Sequence, residues 1–172
     1  LNTLLRDVIK LLERLISETP DKLAFDMPKY RVVNYGDKRF TVRAVKRAVD
    51  GALGSRGAWM LEPYSDLPST SGLNTDSLDD IRQSAELAVK FDYQMAVHAI
   101  GDRGNREVLN IYEKMFAQHP EKPGRERRWR IEHAQHLNPA DIPRFGRLGV
   151  IASMQGIHAT SDAPFVLPRL GS

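Results

Sequence analysis

Two histidines each close an apolar run and stand just before a turn. His98 ends Tyr93-Gln-Met-Ala-Val-His98 and is followed by Ala-Ile-Gly-Asp102-Arg103. His133 ends Arg130-Ile-Glu-His133, 35 residues further on, and is followed by Ala134-Gln135. Neutral imidazole is the commonest metal ligand and a competent general base. The C-terminal tips of strands are where parallel α/β enzymes keep such groups. Either histidine alone reads equally well as a hydrogen-bonded residue at the rim of a core. As a pair at equivalent places on successive strands they can reach one point, which favours a metal-binding reading. The other three histidines carry less. His119 lies in a polar stretch with Pro and Glu and reads as solvent-exposed. His136 reads as a supporting or exposed loop residue, and His158 sits in the C-terminal stretch.

Lys46 lies among Val42, Ala44, Val45, Ala48 and Val49, just before a glycine-rich segment. A lysine in a buried strand is costly unless it is paired or modified. It is either a rim lysine whose stem covers apolar surface or a functional amine, as a carboxylated metal bridge or a cationic substrate contact. Asp50 follows at the mouth of the same region. Asp102 is expected to cap the helix after His98. Glu132, next to His133, should alternate to the other side of its strand and reads as structural.

The elements that must position these groups follow from period and breakers. Leu1, Leu5, Val8, Leu12 and Leu15 predict an amphipathic helix over 2–17, stopped at Thr19-Pro20. Residues 21–29 read as irregular, 30–35 as a strand, Gly36-Asp37 as a turn and 40–49 as one further strand. The segment 50–76 has neither period. A loop of that length is too long for idle connection, which favours a functional loop. Its glycines match neither the phosphate-loop nor the dinucleotide spacing, so a nucleotide site is discounted. A helix is expected from Ser77, with Asp80 as a capping box, to about Phe91. The strand ending at His98 is next, then a helix over about 102–118 with Val108, Leu109, Tyr112, Met115 and Phe116 as its stripe. A strand at 129–132, a short helix opening at Asn138-Pro139 and a strand at 150–154 complete the pattern. Strand, helix, strand, helix, strand at this spacing implies an α/β fold with parallel strands.

Composition narrows the function class. With 172 residues, 41% hydrophobic and 27% charged, the chain can form one domain with a sizeable core. A net charge of +3, with the basic residues scattered, argues against a nucleic-acid partner. The absence of cysteine excludes disulfides and thiolate ligands and leaves the redox compartment undetermined. No apolar run approaches the roughly 18 residues of a membrane span, and no signal peptide is visible, so a soluble, cytoplasmic protein without a membrane partner is expected. The chain opens at Leu1 inside an amphipathic pattern and is expected to be part of something longer.

Taken in order, Lys46-x3-Asp50-Gly-Ala-Leu-Gly-Ser-Arg56, Ala96-Val-His98-Ala-Ile-Gly-Asp102, Ile131-Glu-His133-Ala-Gln135 and Gly149-Val-Ile-Ala-Ser-Met-Gln155 with His158-Ala-Thr-Ser-Asp162 resemble the amidohydrolase superfamily. More narrowly they are similar to its YtcJ-like branch, which includes N-substituted formamide deformylases. The resemblance covers about residues 40–170, and the first 35 residues match less clearly. It implies that residues 1–172 form part of a (β/α)8 TIM-type barrel, about strands three or four to seven, with 1–35 of uncertain placement. It implies one or two divalent metal ions, zinc first, held by Lys46, His98 and His133. The His-x-His of the first strand and the aspartate of the eighth are not found in this chain.

The implied reaction is hydrolysis of an amide-like carbon–nitrogen bond, other than a peptide bond, in a small molecule. A metal-activated water at the C-terminal face of the barrel would attack. Asp50, Arg56 and His158 are the implied substrate contacts. The alternative is a non-catalytic or incomplete amidohydrolase fragment acting as a structural or interaction module. An open half-barrel would expose strand edges, so a homo-oligomer is one expected assembly. A serine hydrolase is disfavoured because no Gly-x-Ser-x-Gly elbow is present.

Overall fold

The alternation in 44–49 decides how this stretch sits. Val45, Arg47 and Val49 are buried, while Ala44, Lys46 and Ala48 are only partly so. One face of this strand therefore packs against other elements, and the opposite face stays open. The computed structural model describes residues 19–171, so the helix expected over 2–17 lies outside the described residues. Strand β1 (Val32–Asn34) pairs antiparallel with β2 (Phe40–Val42). Strands β3 (Ala44–Ala48), β4 (Gln94–Ala99), β5 (Arg130–His133) and β6 (Ile151–Ser153) form a parallel sheet in that sequential order.

Helix α1 (Pro20–Tyr30) precedes β1. Helices α2 (Leu78–Lys90), α3 (Asp102–Gln118) and α4 (Ile142–Leu148) connect successive strands of the sheet, and α5 (Ala163–Leu170) follows β6. Side chains from α1, α2 and α3 share one core with Val45, Met95, Val97 and Ile131 of the sheet. Parallel strands in sequential order, with their helices packed on a single face, are the arrangement of a (β/α)8 barrel. A doubly wound sheet would instead cover both faces. The α/β fold with parallel strands expected from the βα spacing forms, and it is consistent with the partial barrel that the family resemblance implies.

Local chemistry explains the boundaries. Ser77 caps α2: its hydroxyl accepts from the Asp80 N–H (3.1 Å) and donates to the Asp80 carboxylate (2.8 Å). In α3 the residues Val108, Leu109, Tyr112 and Met115 are buried. Trp129, just ahead of β5, stacks edge-on against Tyr112 with ring centroids 4.9 Å apart, and its indole N–H donates to the Tyr93 carbonyl at 3.1 Å. Two expectations for the N-terminal part are corrected. Residues 21–29, expected to be irregular, lie in α1, because Leu23 and Met27 stand one turn apart and are both fully buried. That burial outweighs the cost of Pro28 inside the helix. The strand expected over 40–49 divides at Arg43, since β2 turns back to β1 while β3 joins the parallel sheet.

The long loop 50–76 is not slack. Backbone hydrogen bonds cross it at Gly51–Gly57, Ala52–Ala58 and Met60–Ser71, and Leu53, Ala58, Met60 and Tyr64 build a second small core with Ile100. Among the described residues no helix is long and apolar enough to cross a membrane. Leu109 is fully buried and Leu73 is 61% exposed. Leu109→Ala should cost about 2–5 kcal/mol of stability and Leu73→Ala no more than about 0.5 kcal/mol, as read from urea denaturation midpoints.

Candidate metal centre

The register of the parallel sheet places the functional side chains. Lys46, Ala96, Arg130 and Ile151 form one row across the strands, and Ala48, His98, Glu132 and Ser153 form the next. Both rows belong to the open face, away from the helices. His133 then departs from strand alternation. Its φ is +75° and that of Ala134 is +44°, left-handed backbone that costs about 1–3 kcal/mol per non-glycine residue and gathers at functional sites. With that turn, the His133 ring meets the His98 ring edge-on, with centroids 4.5 Å apart.

The same turn corrects the expectation for Glu132. It does not point to a face remote from the site but shares the open face with Lys46 and His98. Burial favours its neutral form, yet hydrogen bonds from Ser153 and Arg130 prevail and hold its carboxyl below the usual range. The Lys46 amine donates to the Arg47 carbonyl at 3.1 Å. Burial lowers its pKa, opposed by the charges of Glu132 and Asp76.

His158 joins the histidine pair from the turn after β6. Its Nε2 is 3.2 Å from His133 Nδ1, and its Nδ1 is 3.2 Å from an Asp162 carboxylate oxygen. Gln155 Oε1 approaches His133 Nδ1 at 2.6 Å, and the Gln135 amide donates to Asp162 at 2.7 Å. Beside these groups opens a cleft of about 580 Å³, lined by His133, His136 and His158 and by the apolar Met154, Val166 and Leu167.

Behind His98 stands Asp50, whose side chain is wholly buried. Its carboxylate accepts the backbone N–H groups of Trp59 (2.9 Å), Ile100 (2.9 Å) and Gly101 (2.7 Å). His98 Nε2 lies 3.4 Å from Asp50 Oδ1 and is buried without a hydrogen-bond partner. This clamp presses the 51–60 loop onto the start of α3. A Cβ on Gly101 would come within 2.1 Å of the Trp59 carbonyl oxygen, and one on Gly104 within 2.8 Å of the Asp50 carboxylate. Asp102 is not the helix cap expected of it. Gly101 occupies that place, and Asp102, one residue on, accepts from the N–H of Leu61 (2.8 Å) and of Arg103 (2.9 Å).

The residues singled out from sequence thus divide. His98, His133 and His158 come together, with Lys46 one row away on the same face and Asp50 directly behind His98. Arg56 sits in the exposed part of the loop with its guanidinium taken by Asp66, through hydrogen bonds of 3.0 and 2.8 Å. Its contacts are with that carboxylate and not with the histidines. Gln135, Gln155 and Asp162 were part of the quoted motifs but had no role assigned. Asn105, which donates to the carbonyls of Gly101, Ala99 and His136, left no signal in the sequence. The one available cue was the four-residue step from His158 to Asp162, which places both on one side of a helical turn.

The donor chemistry fits a divalent metal ion. Two imidazoles meet at adjacent strand ends, and one of them keeps a buried, unpaired nitrogen. Burial, reinforced by the neighbouring His98, lowers the pKa of His133 and favours the neutral form that a metal requires. Among the described residues no group of three or more His, Cys, Asp or Glu side chains closes around one point.

Comparison with known proteins places the chain in a family. A family model described as "Amidohydrolase family" matches residues 5–172. Over 128 residues the chain is 42% identical to Protein LONG AFTER FAR-RED 3 of Arabidopsis thaliana, a match that takes in 74% of this chain and 21% of that protein. Putative amidohydrolase YtcJ of Bacillus subtilis (strain 168) is 40% identical over 128 residues, 74% of this chain and 23% of that protein. The chain therefore spans less than a quarter of the length of these curated relatives. An uncharacterized metal-dependent hydrolase from Pyrococcus furiosus superposes with a TM-score of 0.72 at 31% identity, over 89% of this chain and 30% of that one. A second, from Pyrococcus horikoshii OT3, gives a TM-score of 0.71 at 31% identity, over 88% and 28%.

Two outcomes follow from the geometry. Asp50→Ala strands three backbone N–H groups, each worth about 1–3 kcal/mol when left unpaired. It should destabilise the protein by about 3 kcal/mol or more, and hydrogen exchange at Trp59, Ile100 and Gly101 should speed up. Burial lowers the pKa of His136 below its ordinary 6.5, so on acidification the unfolded chain takes up this proton before the folded one. The stability is therefore complete above about pH 6.5 and declines as the pH falls from there towards the depressed folded value. Urea midpoints measured across that range should show the decline, and His136→Gln should flatten it.

Proposed function

The chain belongs to the amidohydrolase family, on its YtcJ-like branch, and from that premise we propose that it supplies the strand-end histidines of a metal-dependent centre. That centre hydrolyses a carbon–nitrogen bond, other than a peptide bond, in an amide-like small molecule. The observation that carries this reading is the meeting of His98 and His133, with ring centroids 4.5 Å apart, at the C-terminal ends of adjacent parallel strands. His98 and His133 would hold the ion, zinc first among the candidates, with Lys46 on the same face as a third ligand in carboxylated form. When bound, a divalent cation would supply Lewis acidity towards water and towards an amide-like carbonyl.

The residues of this chain then divide the remaining work. Asp50 fixes the turn after β4, so that the backbone of Ile100 and Gly101 holds His98 at its strand end. The cleft beside His133 has the volume of a small-molecule site, and its lining combines imidazoles with the apolar Met154, Val166 and Leu167. This lining suits a substrate whose polar, hydrolysable group faces the histidines while an apolar substituent lies on the hydrophobic wall. His158 lines the same cleft, with its two ring nitrogens facing His133 and Asp162. Arg56 would act on substrate only by giving up Asp66.

Metal content measured by mass spectrometry, together with turnover of N-substituted amides, tests this. His98→Ala and His133→Ala should each lower bound metal and reduce kcat/KM by more than the roughly 10–100-fold that altering a supporting residue costs. Retention of full metal content in both variants would overturn the assignment.

A further inference from the structure

The polar contacts around His133 have a definite direction, and that direction selects one tautomer. The amide nitrogen of Gln155 donates to the Ser153 carbonyl at 2.8 Å, which leaves Oε1 as the atom facing His133 Nδ1 at 2.6 Å. An amide oxygen only accepts, so Nδ1 must carry the hydrogen. The second group near Nδ1 is His158 Nε2, at 3.2 Å. His158 Nδ1 faces the Asp162 carboxylate, which only accepts when ionised. The hydrogen of neutral His158 therefore sits on Nδ1, and its Nε2 offers a lone pair to the same His133 N–H. Asp162 is itself held by the Gln135 amide at 2.7 Å and the Ser161 hydroxyl at 2.9 Å. Every donor in the chain from Gln135 to His133 thus meets an acceptor.

We propose that Gln155, together with the Asp162–His158 pair, is a positioning network that holds His133 as its Nδ1–H tautomer and leaves Nε2 as the ring's lone-pair donor. Resting on the metal-centre reading above, this gives Gln155, His158, Asp162 and Gln135 a shared task that none of them performs by touching substrate. A ring free to exchange tautomers would present a usable lone pair at Nε2 only part of the time. A ring fixed by two acceptors at Nδ1 presents it always, and cannot rotate without losing both contacts.

The test has a readout independent of turnover. Long-range proton–nitrogen NMR of the metal-free protein, labelled at histidine nitrogen, distinguishes a protonated Nδ1 from a protonated Nε2. In the wild type His133 should carry its hydrogen on Nδ1. The double variant Q155L/H158F removes both acceptors, so His133 should move towards the Nε2–H form, and zinc affinity against a chromophoric chelator should fall by about 10–100-fold. Gln155→Glu keeps an acceptor at the same place and should keep the Nδ1–H form and affinity within a few-fold of wild type. Gln155 is exposed, and the glutamate variant controls for any general disturbance of this loop. A wild-type His133 protonated on Nε2 overturns the proposal, and so does a double variant with unchanged tautomer and affinity. His133→Ala separates the two readings. If zinc affinity survives that substitution the metal-centre assignment fails, whereas the tautomer measurement still decides what Gln155 and His158 do.

Discussion

The Asp50 carboxylate is buried at the end of β3 and accepts hydrogen bonds from three backbone N–H groups, and the arrangement of the site depends on that clamp. An unpaired carboxylate in such a place would cost several kcal/mol or take up a proton. Here the side-chain oxygens are met by the N–H groups of Trp59 on one side and of Ile100 and Gly101 on the other. The Gly101 N–H also lies at the start of α3, where the helix dipole favours negative charge. One side chain therefore joins the end of β3, the long loop and the turn after β4. His98, two residues before Ile100, inherits its place from that junction. The glycines at 101 and 104 belong to the same constraint, because a Cβ at either would collide with the Trp59 backbone or with the carboxylate itself.

His133 is set in place by a different means. Its left-handed backbone breaks strand alternation, and its ring is then held by Gln155 and His158. One histidine is positioned by what its own strand end is tied to, the other by side chains that arrive after the next strand. The two meet on the open face of a sheet whose other face carries nearly all the apolar packing. That separation has a physical basis. The helices bury Val45, Met95, Val97 and Ile131 and supply the stabilising burial, while the opposite rows are free to carry Lys46, Arg130, Glu132 and the histidines. Of these, Glu132 is kept charged by Ser153 and Arg130 and counters the burial of Lys46.

Much of this was legible before any coordinates. Helix α3 and strands β4 and β5 have long, clean apolar periods, and Ser77 with Asp80 forms the cap that their spacing suggests. The meeting of His98 and His133 was legible too, from their positions at strand ends, whereas His158 was expected only as a substrate contact. Helix α1 was hidden because Pro28 and a mostly polar surface conceal the two residues, Leu23 and Met27, whose burial decides it. The break at Arg43 left no mark, since an alternating pattern looks the same whether one strand or two carry it. Asp102 fell one residue inside the helix, and Gly101 took the cap because only a glycine tolerates the Trp59 backbone so close.

By itself, the sequence determined which residues could do chemistry and that they would stand at the C-terminal ends of parallel strands, because apolar period and turn residues are local signals. It also determined the α/β fold with parallel strands, through the repeated strand–helix spacing, while the barrel came from the family resemblance. Tertiary structure alone decided that Asp50 turns inward to the backbone, that Arg56 is engaged by Asp66, and that Glu132 shares a face with His98. It also decided that Gln155 and His158 converge on a single nitrogen of His133. Each of these depends on a contact between segments far apart in the chain, or on a positive φ that no residue type announces. A side chain's partner across the fold is set by how whole elements pack, and single-residue patterns carry no record of it.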